Sequence, residues 1–166
     1  MVRYPLDYSQ ILNRSKSNTF GWVRKNKKDP TIPRLHQGWD LVAPIGTPVY
    51  PVAEGEIVYT KMVDDTHRGY GVSLCLKFDH EGKTYYAFYA HLLNSYVVRG
   101  DMIIDTTCAI GSVGDSGNAF GIAKNSTHLH FEIRNKEQCG DGEHGRIDPV
   151  VLFGDPPYDG VFYIDG

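Results

Sequence analysis

The sequence predicts an all-β fold, because apolar side chains alternate along short segments that tight turns separate. Of the 166 residues, 18 are glycines and 11 are tyrosines, a mixture typical of strands joined by tight turns. No segment has the period of a long amphipathic helix, and only residues 9–14 are expected to form a short helical turn. The core is therefore expected to lie between strands.

The strands can be placed in order along the chain. Residues 49–52 and 55–60 predict two short strands. Residues 72–78 alternate apolar and polar side chains, and residues 84–91 follow after the polar turn 79–83. These last two segments predict an antiparallel hairpin.

A glycine-rich stretch, residues 111–117, lies before the last clear strand. It lacks the Gly-Lys-Ser/Thr ending of a phosphate-binding loop, so we interpret it as turns. The length predicts one domain. We expect residues 1–17 to be a polar N-terminal arm, residues 18–150 to form the domain, and residues 151–166 to be an extension packed on it.

Composition and charge exclude several classes of protein. A net charge of −3 gives no electrostatic support for nucleic-acid binding. No apolar run approaches the length of a membrane span, and the N-terminus lacks the apolar segment of a signal peptide. The three cysteines, Cys75, Cys108 and Cys139, have no Cys-x-x-Cys spacing, which argues against a disulfide framework or a thiolate zinc site.

The segment from His128 to Arg134 carries the strongest chemical signal. It alternates strictly, so Leu129 and its apolar neighbours share one face of a strand, while His128, His130 and Glu132 share the other. Imidazole is the commonest metal ligand. Two imidazoles on one strand face therefore indicate a metal or catalytic site, although such pairs also occur on solvated faces.

A second pair, His36 and Asp40, has a spacing that would let both side chains bind one metal ion. The two side chains share a face either on a helix or on an extended segment. Together with one imidazole from elsewhere they supply three protein ligands, as catalytic zinc requires. An isolated histidine and aspartate at this spacing more often form a surface hydrogen bond. His91 ends a predicted strand, whereas we expect His67, His80 and His144 to be solvated loop residues.

Three motifs in this order resemble the M23 family of zinc metallopeptidases, of the lysostaphin and LytM type. They are His36-Gln-Gly-Trp-Asp40, Tyr89-Ala-His-Leu92 and His128-Leu-His-Phe-Glu132. The resemblance covers roughly residues 20–150. It implies an antiparallel all-β sheet with loops forming a groove over a zinc site, the LytM-like duplicated hybrid motif.

The resemblance also implies the roles of individual residues. His36, Asp40 and His130 are expected to bind one Zn²⁺, and His91 and His128 to be the catalytic histidines. The sequence has no His-Glu-x-x-His helix, so these two histidines are expected to assist a zinc-bound water in attacking a peptide carbonyl. Glu132 is either a residue that orients a ligand or a solvated carboxylate.

The implied function is a zinc endopeptidase that hydrolyses cross-links or stem peptides of bacterial peptidoglycan. Two alternatives remain open: a non-catalytic relative that binds or activates a cell-wall hydrolase, and a phosphocarrier with a related fold. Family members usually carry Gly-Pro before the His-Leu-His motif, where this chain has Ser126-Thr127. We therefore expect loop 118–127 to be lengthened and to alter a wall of the groove.

The implied place of action is the cell wall, the periplasm or the extracellular space. Because the N-terminus resembles no signal peptide, we expect a phage lysin, an effector of a secretion machine or a trimmed form of a longer protein. An effector would be expected to have an immunity or inhibitor protein as a partner. A residue of the N-terminal arm, Asn13 or Asn18, is a candidate for blocking the zinc.

Overall fold

The computed structural model describes residues 2–163 and is built almost wholly of antiparallel strands, which confirms the all-β prediction. In chain order the strands are β1 (Tyr8–Ser9), β2 (Gly21–Lys25), β3 (Pro33–His36), β4 (Trp39–Val42), β5 (Pro48–Val49), β6 (Gly55–Lys61), β7 (Val72–His80), β8 (Lys83–Ser95), β9 (Met102–Ile103), β10 (Gly111–Val113), β11 (His128–Arg134), β12 (Arg146–Ile147) and β13 (Val161–Phe162).

Helical structure in residues 2–163 is short. One four-residue helix, α1 (Val150–Phe153), is accompanied by 3₁₀ turns at Leu12–Arg14, Lys16–Asn18, Gly117–Ala119 and Lys124–Ser126. The predicted turn at residues 9–14 is thus confined to its last three residues. None of the helices within residues 2–163 has the length and apolar character needed to cross a membrane.

Nine strands form one sheet, in which β12, β11, β8, β7, β6 and β9 lie side by side. The predicted hairpin is confirmed as β7 and β8, which pair from Val72–Leu92 to His80–Lys83. Strand β11 pairs with β8 along one edge, and along the other with β4 and then β12. Strands β2 and β3 form a separate two-stranded sheet.

Residues 111–117 differ from the prediction of turns, because Gly111–Val113 form β10, which pairs with β5 and β8. A Cβ atom on Gly111 would lie 2.7 Å from the carbonyl oxygen of Asn94. The glycine here therefore permits a close strand approach and does not mark a turn. The predicted strand at 49–52 is likewise limited to Pro48–Val49.

The core lies beneath the sheet and is built from the apolar faces of β4, β7, β8 and β11. Its largest fully buried side chains include Trp39, Tyr89 and Phe131. Strand β11 is enclosed on both faces, with all seven of its residues buried. The strand that carries His128 and His130 is therefore held on all sides.

Segments near the two ends of the described residues pair with each other. Strand β1 pairs with β13, and Leu6 and Ile11 are buried in the core. The segment 1–17 is thus not a purely polar arm, because its apolar side chains are spaced to reach the core. Met1 and residues 164–166 lie outside the described residues, and the expected domain boundaries stay a prediction.

Candidate metal centre

The three predicted ligands converge. The ligand atoms of His36, Asp40 and His130 all lie within 4.8 Å of one another, and all three residues are buried. Among the residues 2–163, this is the single group of histidine, cysteine or carboxylate side chains close enough to hold a metal ion.

Strand pairing explains why Asp40 and His130 meet. The two residues are direct partners in the ladder between β4 and β11, and side chains opposite each other on one face lie about 5 Å apart at their Cβ atoms. His130 Nδ1 and Asp40 Oδ1 are 3.0 Å apart. The register of one strand pair therefore positions two of the three candidate ligands.

His36 reaches the site by a different route. It is the last residue of β3, and the two residues Gln37 and Gly38 connect it to β4. The sequence left a helix or a single extended segment open, and the structure shows neither. A Cβ atom on Gly38 would lie 2.2 Å from the carbonyl oxygen of Phe131, so glycine is needed for the connection to pass this close to β11.

The hydrogen bonds leave lone pairs directed into the centre. His36 Nδ1 donates to the carbonyl oxygen of Thr19 at 2.8 Å. Its Nε2 atom is buried without a hydrogen-bond partner, 3.2 Å from Asp40 Oδ1. A neutral imidazole and a carboxylate oxygen that face each other across a buried space suit a cation. His130 Nε2 donates to Glu132 at 2.8 Å, which leaves Nδ1 as the ligand atom. The residues thus fit zinc, which favours imidazole nitrogen and carboxylate oxygen.

Glu132 is a fully buried carboxylate behind the centre, not a solvated one. Besides His130, it accepts hydrogen bonds from Arg134 Nε at 2.9 Å and Arg146 Nε at 2.8 Å. Burial opposes its ionisation, but the bond from His130 and the two guanidinium charges lower the pKa of Glu132 to about 2. A carboxylate bound to the far nitrogen of a metal-binding imidazole fixes the orientation of that ring.

Two buried carboxylates act on the ionisation of His130. Burial opposes the charge, but the hydrogen bonds with Asp40 and Glu132 raise the pKa of His130 to about 9. Burial would likewise raise the pKa of Asp40, and its bonds with His130 and His36 lower it well below the usual range. Burial lowers the pKa of His36. The centre thus combines negative carboxylate charge with two nitrogen donors.

Sequence reasoning did not anticipate Arg24. Its Nη2 atom lies 2.7 Å from Asp40 Oδ2 and also donates to the side-chain oxygen of Asn18 at 3.1 Å. One oxygen of Asp40 is therefore engaged by Arg24, while the other faces the histidines. The residue lies outside every motif, so pattern alone gave no signal for it. Asn18 lines the cavity, whereas Asn13 does not.

The predicted catalytic histidines stand beside the ligands. The rings of His91 and His128 have centroids 5.4 Å apart, and His128 Nε2 lies 3.8 Å from Asp40 Oδ1. Each donates its Nδ1 proton to a carbonyl oxygen, that of Ser116 for His91 and that of Ser126 for His128. Burial, together with the neighbouring His130 and His128, lowers the pKa of His91 to about 4.

The five side chains line a cavity of about 500 Å³. The lining includes Arg24, Lys27 and Arg34 of the β2–β3 hairpin and Asn118, Ala119 and Ile122 of the predicted long loop. Tyr70, which the motifs did not single out, stacks on His130 with ring centroids 5.6 Å apart and donates to Gln37. His67, His80 and His144 lie outside this cavity.

A buried His-Asp-His group at a groove in an all-β sheet defines a candidate metallopeptidase centre. The comparison with known families agrees: the chain belongs to peptidase family M23, which it matches over residues 34–142. This segment contains all three candidate ligands and both candidate catalytic histidines. The resemblance seen in the motifs is therefore confirmed.

Individual relatives agree with this family. The peptidoglycan DD-endopeptidase ShyA of Vibrio cholerae is 33% identical over 133 residues, covering 79% of this chain and 26% of ShyA. The chain spans only about a quarter of the length of the curated relatives it matches.

Solved structures share the fold. A zinc-containing peptidase from Vibrio cholerae matches with a TM-score of 0.64 and 26% identity, over 89% of this chain and 38% of that one. LytU matches with a TM-score of 0.59 and 26% identity, over 84% of each chain. The predicted LytM-like fold is thereby confirmed.

Proposed function

We propose that this chain is a zinc-dependent endopeptidase that hydrolyses peptide bonds in the cross-links or stem peptides of bacterial peptidoglycan. The observation that carries the proposal is that two histidines, His91 and His128, are each held through Nδ1 by a carbonyl oxygen and lie beside a buried His-Asp-His group. Membership of a family that includes peptidoglycan endopeptidases supports the substrate class.

The proposed ligands are His36 through Nε2, Asp40 through Oδ1 and His130 through Nδ1. Zinc held in this way supplies a Lewis acid that polarises a carbonyl and lowers the pKa of a water molecule. Glu132 and the carbonyl oxygen of Thr19 hold the two imidazoles in the required tautomers.

The remaining steps are proton transfers by this chain's own side chains. Burial keeps His91 neutral at pH 7, so its Nε2 atom accepts a proton from the attacking nucleophile. The Nε2 atom of His128 lies beside the centre. There it stabilises the negative charge that develops on the carbonyl oxygen and donates a proton to the leaving amine.

The proposed place of action is the cell wall or periplasm, where M23 peptidoglycan hydrolases work. The proposed binding partner is the peptide of peptidoglycan, with an inhibitor protein as a further partner if the chain acts as a secreted effector. The peptidase unit is proposed to be residues 18–150.

Digestion of purified peptidoglycan tests the function. Zinc-loaded protein is incubated with walls of several chemotypes, and the fragments are analysed by mass spectrometry. Peptide fragments are expected with the metal and not after chelation, and metal analysis should find one zinc per chain. Release from none of the chemotypes by zinc-loaded protein would contradict the proposal.

Variants at the two histidines test their roles. His91→Ala and His128→Ala are expected to retain zinc but to lower the rate by about 10²- to 10⁴-fold, the usual contribution of acid–base catalysis. His36→Ala is expected to lose the metal. A His128→Ala protein that binds zinc and cleaves at the wild-type rate would remove His128 from the mechanism.

A further inference from the structure

Arg34 lies on the wall of the cavity without a partner for its charge. It is the direct ladder partner of Arg24 across β2 and β3, and both line the cavity with Lys27. Arg24 is neutralised by Asp40. Arg34 has no carboxylate within 4 Å among residues 2–163, and its Nε atom is buried without a hydrogen-bond partner there.

This arrangement has a cost for the folded protein. Like charges directly opposite each other in a strand pair are destabilising, and a buried donor without an acceptor loses its hydration without compensation. A fold that needed only a stable hairpin would be better served by a neutral side chain at position 34. The buried Nε atom and the unpaired charge of Arg34 therefore point to an acceptor that is not among residues 2–163.

The position of Arg34 relates it directly to the candidate metal centre. It lies two residues before His36 on the same strand, so the two side chains share a face and are separated by about 7 Å along the strand. A group that binds Arg34 would thus be about two residues of extended peptide away from a peptide carbonyl held at the centre.

We propose that Arg34 binds a carboxylate of the substrate about two residues from the scissile bond, an inference that rests on the proposed peptidase function. The planar guanidinium matches a carboxylate through two parallel hydrogen bonds. The carboxylate is either the free α-carboxylate at the end of a peptide or a side-chain carboxylate within it. Ala119 and Ile122, which line the same cavity, are proposed to accept the uncharged part of the peptide.

Matched peptides test the proposal and separate the two sources. Cross-linked peptides prepared from digested wall are compared as the native acid, with only the terminal carboxylate amidated, and with only the side-chain carboxylates amidated. One of the two amides is expected to lower kcat/KM by about 10- to 100-fold, the usual range for a hydrogen bond to a charged group, chiefly through a higher KM.

Variants at position 34 make the test specific. Arg34→Gln is expected to lower kcat/KM for the acid by a similar factor and to cleave acid and amide equally, whereas Arg34→Lys restores part of the preference. Lys25→Gln is the matched control: it removes the same charge from an exposed position of the same hairpin and should leave the preference intact.

Thermal melting provides a readout that does not depend on cleavage. The acid peptide is expected to raise the Tm of the zinc-loaded wild type more than the amide does. In Arg34→Gln, the acid and the amide are expected to raise the Tm equally. If no peptide is cleaved, the proposed function fails, and this melting comparison still decides the role of Arg34. Equal kcat/KM for acid and amides in the wild type, equal melting shifts, or a shift by inorganic phosphate as large as that by the acid peptide would overturn the proposal.

Discussion

Strands β11 and β8 are neighbours that bring histidines to the same centre by opposite means. They pair residue by residue from His130–Ala90 to Arg134–Tyr86. Strand β11 is regular, and its alternation directs His128 and His130 to the cavity and Leu129 to the core. Strand β8 is irregular at the position that matters, because His91 has a φ of +59°.

The irregularity changes the face to which His91 belongs. Ala87 and Tyr89 point into the core, so strict alternation would send His91 there as well. The left-handed backbone at His91 inserts an extra residue, and Leu92 takes the core position instead. Bulges of this kind often re-aim a side chain beside an active site. On a regular strand the sequence pattern alone thus predicts the face to which a side chain points. On a bulged strand that face also depends on the surrounding loops.

Removing Glu132 should have the largest effect on stability, because it leaves Arg134 and Arg146 buried without their carboxylate. We expect Glu132→Ala to lower the free energy of unfolding by about 3–5 kcal/mol, measured by denaturant titration. The paired position on β8 is Phe88, where Phe88→Leu should cost less than about 1.5 kcal/mol.

Glu56 on the exposed face of β6 provides the control for charge removal, and Glu56→Ala should leave stability unchanged. If Glu132→Ala costs no more than Phe88→Leu, the ionic cluster does not hold β11, and the contrast between the two strands fails.

A side chain at position 38 tests how closely the connection between β3 and β4 must approach β11. Gly38→Ala places a Cβ atom against the carbonyl oxygen of Phe131 and is expected to cost about 1–3 kcal/mol and to weaken zinc binding, as measured by competition with a chelator. Gly140→Ala, where a Cβ atom meets open space, is the matched control. Unchanged zinc affinity in Gly38→Ala would show that the approach is not required.

Glycine and alanine at the two histidines should give effects of opposite sign. At His91, glycine should be more stable than alanine by about 1 kcal/mol, because an L side chain in the left-handed region is strained. At His128, in a regular strand, glycine should be less stable than alanine by about 0.5–1 kcal/mol. Thermal unfolding of the four variants measures the difference, and the same sign at both positions would contradict the proposed bulge.

The sequence was sufficient for the parts of the molecule that follow local rules. Alternation predicted the hairpin of β7 and β8 and the face shared by His128 and His130. It did not predict that Glu132 would be buried, because that depends on Arg146, which is 14 residues away. Arg24 and Tyr70 were missed for the same reason: tertiary contacts alone bring them to the centre, and neither lies in a motif.

Because β2 and β3 form a separate sheet, a bound metal ion would also link two parts of the fold. Of the three candidate ligands, only His36 belongs to this small sheet, while Asp40 and His130 belong to the large one. A bound ion would therefore fasten the hairpin that carries Arg34 to the rest of the domain, and metal loss is expected to make that hairpin open at lower free energy. Metal supply would then govern the order of this hairpin as well as the proposed chemistry, so that a molecule without metal would also bind the proposed substrate less tightly.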